Sequence, residues 1–141
     1  MTARYWLIKS EPAIWSWDRQ VKKGTTHWDG VRNHQAAANL RAMQKGDRAF
    51  FYHSNEGREI VGIVEIARTA YPDPSDETGK FVMVDVRALA PLPKPVTLAD
   101  IKADKKLANM ALVRLSRLSV QPVTESEWAR ICALGGIRSD V

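Results

Sequence analysis

Few residues in this 141-residue chain have the types and spacing for covalent chemistry. Cys132, the single cysteine, shares the apolar side of a helical pattern with Trp128 and Ile131, where a thiol behaves as a small inert hydrophobe. His53 and Ser54 are neighbours at the end of a strand-like run, and adjacent strand residues point to opposite faces, which is wrong for a Ser–His pair. His27 and His34 flank Asp29, but no H-E-x-x-H or C-x-x-C spacing accompanies them, so no metal is expected. The phosphate-cradling patterns G-x-G-x-x-G and G-x-x-x-x-G-K-[ST] are absent. The chain is therefore expected to be no enzyme and to need no cofactor.

What remains is the chemistry of recognition. Eight of the eleven aromatic residues lie within the first 52 positions, interleaved with Arg4, Lys9, Arg19, Lys22, Lys23 and Arg32. Rings stack bases and cations neutralise phosphates, although most rings in any domain are core. Trp28 is the hardest to assign to a core. It stands between Thr25-Thr26-His27 and Asp29-Gly30, a polar and flexible stretch that reads as loop. A tryptophan held there offers a face to a planar base, and a ring tucked over the core from a loop is the competing reading. The candidate site gathers strand ends and loops: Lys9 and Ser10, the segment Trp28, Asp29, Gly30, Val31, Arg32 and Asn33, then His53 and Ser54. The formal charge of +5 favours an anionic partner, and most of the excess is in the first half.

These residues must be positioned by short elements. Tyr5 to Lys9 reads as a strand, and Ser16 caps a helix from Trp17 to Lys22. Lys23 to Thr26 reads as loop. Asn33 caps a helix to about Gln44 that buries Ala36, Leu40 and Met43. Arg48 to Ser54, Glu59 to Arg68 and Phe81 to Leu89 are strand-like, with a polar loop from Pro72 to Gly79. Pro91 to Pro95 reads as a stiff connector. Thr97 opens a short helix, Leu107 to Leu115 suggests another, and Leu118 to Val123 a last strand. Thr124 to Glu127 is a capping box for a final helix ending at Gly135-Gly136. Strands and helices mix without βαβ alternation, so the class is α+β, with a curved sheet or partial barrel. The length suits one domain, with 135–141 as a flexible tail. No apolar run approaches the roughly 18 residues of a membrane helix, and no secretion signal opens the chain, so a cytoplasmic protein is expected.

In order along the chain, Tyr5-Trp6-Leu7-Ile8-Lys9-Ser10-Glu11-Pro12, Trp28-Asp29-Gly30-Val31-Arg32-Asn33, Leu40-Arg41-Ala42-Met43, Gly46-Asp47, Phe51-Tyr52-His53-Ser54, Val61-Gly62-Ile63, Tyr71-Pro72-Asp73 and Arg117 to Val123 resemble the EVE domain family, whose fold is PUA-like and related to the YTH readers of methylated adenine. The resemblance implies a mixed β-barrel of about five to six strands with flanking short helices, and a pocket for a flipped-out modified base. In the YTH relatives a Lys-Ser pair ends the first strand and a tryptophan after the first helix forms a cage wall, places that Lys9-Ser10 and Trp28 take here. The connection from Pro74 to Lys80 is short and Phe81 starts the next strand, so the second wall is left unassigned. Ser119 and Gln121 join Ser10, Asn33, His53 and Ser54 as polar candidates, each with a competing reading as a strand-end or capping hydrogen bond. Lys22, Lys23, Arg32 and Arg41 are the candidate phosphate contacts. The expected partner is nucleic acid, modified DNA ahead of RNA and a modified cytosine foremost, bound by a monomer. An RNA-binding module is the alternative, and a small nucleotide-ligand enzyme ranks third. Trp28→Ala is expected to abolish the preference for a modified base and leave the fold intact.

Overall fold

The computed structural model describes residues 4–141. Alternating residues build β1 (Tyr5–Ser10): Trp6 and Ile8 enter one core, and Leu7 enters another on the opposite face. Helix α1 (Trp17–Lys23) starts at Ser16, whose hydroxyl accepts from the N–H of Arg19. Then come β2 (Thr25–Trp28) and α2 (His34–Ala42), the latter capped by Asn33 through the N–H of Ala36. Strands β3 (Arg48–His53), β4 (Glu59–Pro72) and β5 (Val82–Thr97) form an antiparallel run. Capping boxes at Thr97 and Thr124 open α3 (Leu98–Ala103) and α5 (Glu125–Gly135), on either side of α4 (Ala111–Arg114) and β6 (Val120–Val123).

The six strands make one mixed sheet in the order β2-β5-β4-β3-β1-β6, with β1 and β3 parallel and the other pairs antiparallel. All six strands feed one face's core, which α2 covers with Ala36 and Leu40. The sheet is therefore curled, an incompletely closed α+β barrel. The convex face carries the second core, in which Phe50, Ile63 and Leu7 meet Ile101 of α3, Leu112 of α4 and Trp128 of α5. Trp128 stacks on Phe50 at 3.9 Å and on Tyr5 at 4.5 Å. Segment 135–141, expected as a flexible tail, lies against this side: Ile137 packs on the convex core and the Trp128 indole donates to the Ser139 carbonyl.

Several element bounds need correcting. Thr25 to Trp28, read as loop, is a strand, because it pairs in register with Arg87 to Val84. Pro91 to Pro95, read as a connector, belongs to β5. The β2 pairing ends at Arg87, so this part of β5 has one edge without a partner strand and its missing N–H groups forfeit no ladder bond there. Helix α2 stops at Ala42 rather than Gln44, and only Ala111 to Arg114 of the expected 107–115 helix is helical.

Candidate functional site

The last two residues of β1 part ways. The Lys9 ammonium turns toward the convex side, where it donates to the Ser116 carbonyl at 2.6 Å and lies 6.0 Å from the centre of the Tyr52 ring, although the residue itself still borders the cleft at the end of β1. Burial pushes the Lys9 pKa down. Ser10 shares its face with Trp6 and Ile8, and its hydroxyl donates to the Trp15 carbonyl. That bond folds the loop from Glu11 to Ser16 back over the strand end. Within it the N–H groups of Ile14 and Trp15 both donate to the Glu11 carbonyl. The Trp15 indole N–H donates to Gln20 Oε1 at 2.9 Å, and the Arg19 guanidinium sits 5.0 Å from the Trp15 ring.

Across from this loop, β2 delivers Trp28. Its ring is only 9% exposed and meets Phe51 edge to face at 5.5 Å. The chain then turns at Gly30, whose φ of 79° suits glycine. The Gly30 N–H donates to Asp73 at 2.9 Å, and Arg32 donates to the same carboxylate at 3.2 Å and to Ser75 at 2.9 Å. Burial works against the charge of Asp73. The Ser75 hydroxyl, the N–H groups of Gly30 and Ser75, and Arg32 together outweigh it and hold the carboxyl at about 2. Asp73 thus ties the segment after Trp28 to the end of β4.

Between the two lies an open cleft of about 530 Å³. Of the residues expected at the site, the structure gathers Lys9, Ser10, Trp28, Asp29, Gly30, Val31, Arg32 and Ser119 around it. Glu11, Ile14, Trp15, Thr26 and His27 also line it, and none of these was among the residues expected at the base-binding site. Trp15 is the consequential omission. It carries a second indole, from the loop after β1 rather than from the 74–80 region. Its one signal in the sequence is its offset of two from Trp17, which denies both rings the same helical face. Beside the lining residue His27, Tyr71 donates to Asp85, and His27 Nδ1 lies 3.0 Å from the Tyr71 hydroxyl and 3.1 Å from Asp85.

Other expected residues lie outside the lining. Asn33 is spent as the cap of α2. His53 Nε2 accepts from the Trp17 N–H at 3.0 Å and is thereby neutral, in keeping with a pKa lowered chiefly by burial. The Ser54 N–H donates to the Ser10 carbonyl. Gln121 is fully buried on the convex side, where its amide donates to the Leu115 and Leu118 carbonyls. Lys22 and Lys23 are exposed at the end of α1, and Arg41 on α2 donates to the Lys80 carbonyl. Arg32 does border the cleft, but its charge is paired with Asp73. The expectation that Trp28→Ala leaves the fold intact also needs correcting, because the ring is part of the concave core. Cys132 is buried, with its thiol pushed up to about 11 by that burial.

Comparison with known proteins places this geometry. The family model described as EVE domain matches residues 4–134. Thymocyte nuclear protein 1 of Homo sapiens is 36% identical, over 92% of this chain and 73% of its own length. Among solved structures, the Rpa0253 protein of Rhodopseudomonas palustris superposes with a TM-score of 0.91 at 62% identity, covering 95% of this chain and 94% of that one. The human THYN1 protein, solved in complex with 5-methylcytosine-containing DNA, gives 0.83 at 36% identity, covering 94% and 98%. An ASCH protein of Zymomonas mobilis shares the fold alone, with a TM-score of 0.58 at 12% identity over 93% and 95%.

Proposed function

The chain belongs to the EVE domain family, and from that premise we propose that it is a non-catalytic reader that takes one modified base of DNA, a modified cytosine foremost, into the cleft at the end of β1. The observation that carries the proposal is the cleft itself, bordered by two indoles that stand on separate segments, Trp15 and Trp28. A base in a duplex reaches such a cleft only when flipped out, which costs a few kcal/mol. Stacking on an indole returns roughly 1–3 kcal/mol per base. Flipping and stacking nearly cancel, so phosphate contacts decide the net affinity. Glu11 and Asp29 are among the residues lining the same cleft, and a carboxylate accepts from the exocyclic amino group that cytosine presents. The human relative's complex supports the choice of DNA and of cytosine.

Discrimination follows from what surrounds the modification. A buried methyl contributes only about 0.8 kcal/mol, so a preference of about fourfold is expected for 5-methylcytosine. A hydroxymethyl or formyl group is read more sharply where a polar lining atom stays unpaired without it.

The test is a set of equilibrium titrations with matched duplexes, one plain and one carrying a modified cytosine, and RNA of the same sequence. The wild-type protein prefers the modified duplex. Trp15→Ala weakens that binding about tenfold, as losing one stacking face should. It also lowers the melting temperature, because the indole packs on the concave core and donates to the buried Gln20, so binding is compared at a temperature where both proteins are folded. Equal binding of the modified and plain duplexes by the wild type overturns the reading. Tighter binding of the RNA transfers it to that partner.

A further inference from the structure

Three large hydrophobic side chains are exposed among the described residues: Ile14, Val21 and Leu115. Ile14 is the most exposed, at 68%, and of the three it alone borders the cleft. A solitary exposed aliphatic residue needs no explanation in itself. The backbone that presents this one is fully engaged, however. The N–H groups of Ile14 and Trp15 donate to the Glu11 carbonyl, the Ile14 carbonyl accepts from Arg19 at 2.8 Å, and the Trp15 carbonyl accepts from Ser10. Ile14 is therefore held out to solvent on a braced turn, at the mouth of the cleft.

Extruding a base leaves a gap in the stack and strains the neighbouring base steps. Proteins that deform duplexes fill such places with apolar wedges, isoleucine among them. We infer that Ile14 is a wedge: its side chain enters the base stack beside the extruded nucleotide, which makes this a site for duplex DNA rather than for single strands or free nucleosides. The inference rests on the base-binding reading above and says where the base comes from. The surrounding charge suits it, since Arg19, Lys22 and Lys23 outnumber Glu11 and Asp18 on this segment. Arg19 also puts a guanidinium directly against the backbone of the wedge.

The experiment uses the full chain as wild type, Ile14→Ser, Ile14→Met and, as a control, Val21→Ser, an exposed apolar residue away from the cleft. Each is titrated against a duplex with one 5-methylcytosine, against the same modified strand alone, and against the plain form of both. A second duplex carries 2-aminopurine next to the modified base to report unstacking. Ile14→Ser weakens duplex binding about tenfold, leaves single-strand binding within about twofold, and abolishes the rise in 2-aminopurine fluorescence. Ile14→Met restores both, and Val21→Ser changes neither. An unaffected duplex, an equal loss on both forms, or the same loss from Val21→Ser overturns the wedge while the preference for the modified base stands. A wild-type protein that binds modified and plain DNA alike in both forms overturns the base-binding reading and the wedge with it.

Discussion

Asp73 has no exposed side-chain surface, yet it stays ionised because two main-chain N–H groups, a hydroxyl and the Arg32 guanidinium converge on it. Its acidity is an energy of folding. The folded-state pKa of about 2 lies below the usual 3.8, so its contribution is complete above pH 3.8 and is lost as pH falls through 2. Asp73→Asn should cost about 2 kcal/mol by denaturant titration at neutral pH and remove that acid-limb dependence. His53 works at milder pH. Burial lowers its pKa despite Glu59 and Asp18, and the unprotonated Nε2 accepts from the Trp17 N–H. Its stabilisation is complete above the ordinary value of 6.5 and is lost as pH falls from there through the lowered one. In His53→Gln that decline disappears from the stability–pH profile. For Trp28→Ala, loss of a buried indole predicts about 3–5 kcal/mol of destabilisation, read as a drop in melting temperature.

At the scale of elements, Gly62 sets the seat of α1. A Cβ at this position would overlap the Trp17 indole, so the ring rests directly on the bare backbone of β4. Gly62→Ala must push Trp17 and α1 aside, and the expected outcome is a loss of about 1–3 kcal/mol with reduced amide protection across α1 in hydrogen exchange. Helix starts were legible from the sequence at Ser16, Asn33, Thr97 and Thr124 because a cap is a local bond between residues a few positions apart. Strand β2 and the proline half of β5 were not: β2 is four residues with no hydrophobic alternation, the prolines of β5 argue against a strand, and both take their state from long-range pairing. The site divides the same way. Ser10 and the segment from Trp28 to Arg32 stood out by residue type, and the cleft has them. Trp15 and Ile14 did not, because what turns them toward the cleft is a hydroxyl from a different element, Ser10 at the end of β1.

For the molecule as a whole, the positive charge is not equally available everywhere. Arg32, Arg48, Arg87 and Arg130 are committed to carboxylates, whereas Lys22 and Lys23 enter no such pair among the described residues. Replacing both lysines by alanine should lower the slope of log affinity against log salt by about 1.8, at roughly 0.9 per phosphate contact. Arg32→Ala should change that slope less, because its partner anion stays behind. Strand β4 meets β5 through four register irregularities, at Ile60/Gly62, Ile63/Val64, Ile66/Arg68 and Arg68/Tyr71, and each bends the sheet that separates Trp28 from the end of β1. The gap between the two jaws is thus a caliper set from behind: swapping a residue at one of these kinks resizes the mouth for a bulkier or slimmer guest without altering a single group that touches it.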